Sequence, residues 1–245
     1  MEFGSMFTCT SLDQWNSAEA DNYQGLRIAR SIDPLCWQPV ADQLLQKRRC
    51  NMDGTLKRQV VSLGANQDLL QDKFQKASLA VSSGLPATLA KLVSEDAQAL
   101  ASATLRMLPN AQELIMKLEL FGKSVCSGWH EDQYVCRSIV SYNCSGTQYT
   151  ASSNVDYDEL YYCGNPDCII RDESQICSAD VGDIIMIKGA KFPGEAKSLV
   201  HRSPEIQYNA QTGDVQARIV LKVDILDMPD HAANSLEPQF DKEPC

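Results

Sequence analysis

The pattern of apolar residues changes from helical to strand-like at Pro109, and this change limits the folds that the chain can adopt. Before Pro109, the apolar residues of 89–108 recur at every third or fourth position, which predicts an amphipathic helix beginning after Pro86. After Pro109, strand-like stretches of alternating or β-forming residues occur at 113–121, 134–142, 184–187 and 217–225. Helices followed by strands favour an α+β domain with an antiparallel sheet or barrel over an alternating βαβ fold.

The same patterns divide the chain into four segments. Residues 1–5, Met-Glu-Phe-Gly-Ser, are translated restriction sites and are interpreted as a cloning remnant. We expect residues 6–110 to form a mostly helical region that packs on the core and residues 111–226 to form the β-sheet core. Residues 227–245 are rich in Pro, Asp and Glu, which is typical of a loose tail.

Charge and hydropathy exclude two classes of partner. The 245 residues include 22 Lys and Arg against 32 Asp and Glu, a net charge of −10. This balance argues against nucleic acid, whose backbone is bound mainly by Lys and Arg. No apolar run approaches the roughly 20 residues needed to cross a bilayer, so we expect a soluble protein with no membrane partner.

The ten cysteines favour a reducing compartment, and the chemical state of three of them is left open. A chain of this length can bury a core without disulfides, so reduced thiols are favoured, in the cytoplasm or an organelle lumen, and no secretory signal is visible. Cys163, Cys168 and Cys177 allow three alternatives: a zinc site completed by Cys144, a disulfide, or unligated thiols. Their irregular segment, 145–178, is a candidate lid for a binding site.

Two of the three histidines have neighbours that suggest a metal site. His130 and Asp132 are two residues apart, so in an extended segment both side chains face the same side. His201 follows later as a candidate third ligand, and two histidines with one carboxylate form the facial triad of non-haem Fe(II) oxygenases. Arg218 begins a predicted strand; it either faces solvent or, if buried, requires an anionic partner such as a carboxylate cosubstrate.

The order of these motifs resembles the Fe(II)/2-oxoglutarate-dependent dioxygenases, which are double-stranded β-helix (jelly-roll) enzymes. The sequence looks still more like a family known only as a domain of unknown function in bacteria and algae, over about residues 30 to 226. The stretches that carry this resemblance are 129–132, 141–147, 182–184, 188–189, 201–204 and 218–224.

The resemblance implies a fold and a role for each matching residue. The implied fold is α+β, a double-stranded β-helix (jelly roll) with N-terminal buttressing helices. His130, Asp132 and His201 would be the catalytic centre and hold Fe(II), and Arg218 would bind the far carboxylate of 2-oxoglutarate. Tyr142 and Arg137 are expected to line the cosubstrate or substrate pocket.

The implied reaction uses O₂ and 2-oxoglutarate to oxidise a small-molecule substrate, with release of succinate and CO₂. Because a carboxylate is present in the ligand set, hydroxylation or a related oxidation is favoured over halogenation. Two alternatives stay open at this point. One is a non-catalytic jelly roll that binds or senses a metal, and the other is a demethylase that acts on a macromolecule.

Overall fold

The computed structural model describes residues 3–33, 36–47, 54–64, 69–123, 127–163 and 167–229. It has an α+β fold whose largest element is a mostly antiparallel sheet. The helices are α1 (Gln38–Lys47), α2 (Leu70–Ser82) and α3 (Ala87–Met107). The strands are β1 (Gly4–Cys9), β2 (Tyr23–Ile28), β3 (Thr55–Ser62), β4 (Glu113–Phe121), β5 (Cys136–Ser141), β6 (Gln148–Tyr149), β7 (Cys177–Ser178), β8 (Ile184–Lys188), β9 (His201–Arg202) and β10 (Arg218–Ile225).

The strands form two sheets. The main sheet has the order β1-β2-β8-β5-β10-β4-β3, and a small sheet has the order β7-β6-β9. Only the outermost pair of the main sheet, β1 with β2, is parallel. The helix predicted over 89–108 corresponds to α3, which begins after Pro86 and ends at Met107, one residue before the predicted end.

The main sheet separates two apolar layers because successive side chains in a strand point to opposite faces. Its outer face packs against the helices: Leu114, Met116 and Leu118 of β4 join Phe74 of α2 and Leu89 of α3 in one core. Its inner face packs toward the small sheet and carries Ile139, Ile185, Ile187 and Val220, which bury against Tyr149 and Leu199. β10 is buried on both faces, with apolar residues toward the helices and the charged residues Arg218, Lys222 and Asp224 on its inner side.

Three strands come from the part of the chain expected to be mostly helical. β1, β2 and β3 all lie before residue 110, and β1 begins at Gly4, inside the segment interpreted as a cloning remnant. β2 pairs with β8 and β3 pairs with β4, so partners distant in the sequence stabilise both strands. Local sequence patterns carry little information about such pairing.

The segment 227–245 is described only as far as residue 229, so the expected loose tail and His231 lie outside the described residues. Within the described part of the chain, no helix has both the length and the apolar character to span a membrane.

Candidate metal centre

A backbone bridge brings His130 and His201 side by side. The N–H of each residue donates to the carbonyl oxygen of the other at 3.0 Å, which forms an isolated antiparallel bridge at the end of β9. The two imidazole rings are consequently close, with centroids 4.4 Å apart. Two histidines that are distant in the sequence thus become neighbours, because the backbone segment that precedes β5 pairs with β9 of the small sheet.

Asp132 completes a cluster of three potential ligands. Its Oδ1 lies 3.9 Å from Nε2 of His130, and its Oδ2 lies 3.7 Å from Nε2 of His201. One ligand atom from each residue lies within 4.8 Å of the others. His130 is half-buried, whereas Asp132 and His201 are buried, so His130 is the member of the cluster that contacts solvent most.

The hydrogen bonds of both histidines direct the same nitrogen toward the cluster. Nδ1 of His130 is 2.9 Å from the carbonyl oxygen of Gly128, and Nδ1 of His201 is 2.9 Å from that of Leu199. A carbonyl oxygen only accepts, so each Nδ1 carries a proton, and each Nε2 is the nitrogen left to face a metal. Burial lowers the pKa of His201 to about 4, despite the opposing effect of Asp132, so that ring is neutral at pH 7.

One oxygen of Asp132 is left without a partner. The residue is only 6% exposed, and among the described residues its Oδ2 has no hydrogen-bond donor. Burying an ionised oxygen without a partner costs on the order of 1–3 kcal/mol or more. A cation held between Oδ2 and the two Nε2 atoms would remove this cost, so the site matches the requirements of a divalent metal.

Arg137 holds the other oxygen of the same carboxylate. Its Nη1 donates to Oδ1 of Asp132 at 3.0 Å, and its Nε donates to Oδ1 of Asp224 at 2.9 Å. Asp224 is fully buried and also pairs with Nζ of Lys117 at 2.7 Å. Burial alone would raise the pKa of Asp224, but the charges of Arg137 and Lys117 outweigh that effect and lower it. Arg137 therefore orients Asp132, a candidate ligand, where a pocket-lining role was expected.

Tyr142 lies away from the metal centre, contrary to the sequence-based expectation. Its hydroxyl donates to Oδ2 of Asp96 on α3 at 2.7 Å, and the residue is fully buried in the core between sheet and helices. The alternation along β5 explains this position: Arg137 and Ile139 face inward, whereas Val140 and Tyr142 face the helices. The odd separation of Tyr142 from Arg137 along one strand was a usable signal in the sequence.

Arg218 is buried on the inner face at the start of β10, at 7% exposure. Its nearest polar contacts are long, 3.5 Å to the carbonyl oxygen of Ser145 and 3.4 Å to Oγ of Ser203. Within the described part of the chain no carboxylate forms an ion pair with it, and burial lowers its pKa to about 10. The guanidinium lines a small open pocket with Cys144 and Gln216. A buried cation of this kind is a candidate anion-binding group.

A family model described as "Protein of unknown function (DUF1826)" matches residues 28–224. The chain belongs to this family. The match confirms the predicted membership of a domain family of unknown function, and it extends over almost the same residues as the predicted likeness. All three residues of the cluster, and Arg218, lie inside the DUF1826 match. No curated protein matches the sequence.

Solved structures with similar folds are distant. A Pseudomonas putida prolyl-4-hydroxylase is 8% identical, with 89% of this chain and 97% of that chain covered and a TM-score of 0.37. A full-length Neurospora crassa protein in complex with alpha-KG is 10% identical, with 90% and 83% of the two chains covered and a TM-score of 0.42. TM-scores this low do not decide the fold or the activity of this DUF1826 member.

Sequence reasoning missed four charged residues on the inner face of the DUF1826 core. These are Lys117 and Glu119 on β4 and Lys222 and Asp224 on β10, all on the same side as Arg218. Lys222 Nζ lies 2.6 Å from Oε2 of Glu119. Their alternation with apolar residues in strands that are otherwise buried was the available signal, because charges are rarely buried without partners.

The expected lid lies beside the metal centre. Tyr161, in a π-helical turn (Glu159–Cys163), donates its hydroxyl to Oε2 of Glu131 at 2.6 Å, next to both His130 and Asp132. The side chain of Cys163 lies outside the described residues. Cys144 lies in the Arg218 pocket, where its thiol contacts Gln38. The zinc and disulfide alternatives for the cysteines stay predictions.

Proposed function

We propose that this protein is an Fe(II)- and 2-oxoglutarate-dependent oxygenase that hydroxylates, or oxidises in a related way, a small-molecule substrate. The observation that carries the proposal is the cluster of His130, Asp132 and His201, whose two Nε2 atoms lie around a buried carboxylate oxygen that has no hydrogen-bond partner among the described residues. Two histidines and one carboxylate are the ligand set that non-haem Fe(II) oxygenases use.

The path of the chain supports a double-stranded β-helix. From β4 onward, the chain passes back and forth between two facing layers, with β6 and β7 as the one consecutive pair in the same layer among the described segments. β4, β5, β8 and β10 lie in the main sheet, while the His130 bridge, β6, β7 and β9 lie in the small one. The four main-sheet strands are adjacent in the order β8-β5-β10-β4. Four strands facing four is the arrangement of a jelly roll, and it places the ligands at one end of the space between the layers.

The three ligands would leave coordination positions of the ion open for the keto acid and O₂. A ferrous ion there would supply the O₂ and one-electron chemistry that side chains lack. The protein's own part is orientation: the carbonyl oxygens of Gly128 and Leu199 fix the two imidazole rings, and Arg137 fixes the carboxylate. Because Arg137 already engages Oδ1, Asp132 offers Oδ2 as a single-oxygen ligand.

Arg218 would bind the far carboxylate of the keto acid. It faces the same interior as the metal cluster, and a bidentate carboxylate would replace the two long contacts that it makes now. In the described part of the interior between the metal cluster and Arg218, the cations are Lys117, Arg137, Arg218 and Lys222, and the carboxylates are Glu119, Asp132 and Asp224. This excess of positive charge favours a dianionic cosubstrate such as 2-oxoglutarate over a neutral one.

The test is an anaerobic titration followed by admission of O₂. The protein is loaded with Fe(II), 2-oxoglutarate is added while the metal-to-ligand absorption band is followed, and succinate is then measured with and without O₂. We expect the band and oxygen-dependent succinate in the natural protein. Neither should form in Asp132→Ala or His130→Ala, whereas Asp72→Asn, at an exposed position on α2, should retain both.

Two results would count against the proposal. Succinate release that persists in both ligand variants would show that the cluster is not the reaction centre. Tight binding of a divalent metal with no absorption band and no succinate would instead support the non-catalytic alternative, a metal-binding or sensing jelly roll.

A further inference from the structure

A row of charged side chains lies on the inner face of β4 and β10, between the metal cluster and Arg218. At the metal end, Asp224 is paired with both Arg137 and Lys117. At the other end is Arg218, which has no ion-pair partner within the described residues. Between them lies the ion pair of Lys222 and Glu119, whose side chains are 17% and 8% exposed.

Lys222 and Arg218 converge on the same aromatic ring. Nζ of Lys222 and Cζ of Arg218 each lie 5.1 Å from the ring centroid of Phe121, so at most about 10 Å separates the two charges. The two residues are four apart on one strand and share its inner face. The flexible four-carbon stem of Lys222 can move its ammonium group by several ångströms, so one carboxylate can contact both cations.

Glu119 is an imperfect partner for Lys222. The two groups approach to 2.6 Å, yet Oε2 of Glu119 has no hydrogen bond of good geometry among the described residues. Burial and the nearby charge of Arg137 lower the pKa of Lys222, and Glu119 compensates only in part. Lys222 is already desolvated, so a second carboxylate that pairs with it has little further desolvation of the ammonium group to offset.

We propose that Glu119 competes with the far carboxylate of the cosubstrate for Lys222. Lys222 and Arg218 then form a two-cation site for that carboxylate. Glu119 lowers the affinity of this site for the cosubstrate, because it pairs with Lys222 while the site is empty. This inference rests on the proposed function and deepens it, because it states how the interior selects a dicarboxylate keto acid over a monocarboxylate one.

The inference predicts changes of opposite sign at the two partners. Glu119→Gln removes the competing charge at nearly constant shape, so the Kd for 2-oxoglutarate should fall by about tenfold, the size typical of one buried charge pair. Lys222→Met removes the second cation, so the Kd should rise by about tenfold or more. In the double variant the gain from Glu119→Gln should vanish, since no ammonium group is left to compete for.

Comparison with a second keto acid measures how much the far carboxylate contributes to the Kd. 2-Oxopentanoate has the same chain length as 2-oxoglutarate but lacks the second carboxylate, so its Kd should change by less than about twofold in every variant. All Kd values are measured by anaerobic absorption titration of the Fe(II)-loaded protein. Glu113→Gln, at an exposed position on β4, serves as the matched control and should leave both Kd values unchanged.

The outcomes separate this inference from the proposed function. If the natural protein binds neither keto acid, the proposed function fails and the inference fails with it. If the natural protein binds 2-oxoglutarate but Glu119→Gln leaves its Kd unchanged, raises it, or changes the Kd of both keto acids equally, the inference alone is overturned. Should Lys222→Met not fold, the near-isosteric Glu119→Gln with the two keto acids decides the matter by itself.

Discussion

Replacing Tyr142 by Phe tests whether this residue belongs to the core or to the active site. The substitution removes only the hydroxyl that donates to Asp96 at 2.7 Å, and it leaves the ring in place, so no cavity forms. A hydrogen bond to a charged group contributes about 1.5–3 kcal/mol to stability. Arg30 still pairs with the Asp96 carboxylate, so we expect the lower end, a loss of about 1.5 kcal/mol.

Urea denaturation at pH 7 measures this loss. With an m-value of about 3 kcal/mol per molar urea for a chain of this size, the midpoint should fall by about 0.5 M. The same variant should bind Fe(II) and 2-oxoglutarate as the natural protein does. Tyr161→Phe is the matched control, because its hydroxyl contacts Glu131 at a largely exposed position and its loss should cost at most about 0.5 kcal/mol.

One result would refute this reasoning. If Tyr142→Phe kept its urea midpoint but lost affinity for 2-oxoglutarate, the hydroxyl would act on the cosubstrate and the assignment of Tyr142 to the helix-facing core would be wrong. A fall in both quantities would also contradict it, provided that the variant is fully folded in the binding assay.

Three further predictions concern the charges around the metal centre. Arg137→Met leaves two buried carboxylates short of a partner, so the free energy of unfolding should drop by about 3–5 kcal/mol, and Arg137→Lys should recover part of it in the same denaturation experiment. A divalent metal at 100-fold its Kd should stabilise the natural protein by about 2.7 kcal/mol and Asp132→Ala not at all; a rise in Tm that is equal in both would contradict the ligand assignment. The folded-state pKa of Asp224 lies below its ordinary value of 3.8, so its ion pairs stabilise the protein above that pH, and this stabilisation is lost as the pH falls below it. Acid unfolding of the natural protein should therefore show a loss of stability below pH 3.8 that Asp224→Asn lacks.

The elements that the sequence predicted well are those whose patterns are local. The period of the apolar residues in 89–108 and the flanking prolines suffice for α3, because a helix makes its hydrogen bonds within itself. The strands at 113–121 and 217–225 were also predicted, since long runs of β-forming residues leave few alternatives. The spacing of His130 and Asp132 was informative for the same reason, because it concerns one short extended segment.

Only the tertiary structure decided which residues meet. β2 and β3 gain their hydrogen bonds from strands far along the chain, and His201 reaches His130 through pairing of the same kind. The register between two strands decides which side chains become neighbours, and the register of β4 with β10 gathers Glu119 and Lys222 into one ion pair. The order of motifs thus predicted a set of candidate metal ligands, whereas long-range strand pairing determined which residues surround them, because residue identity is local and proximity across a sheet is not.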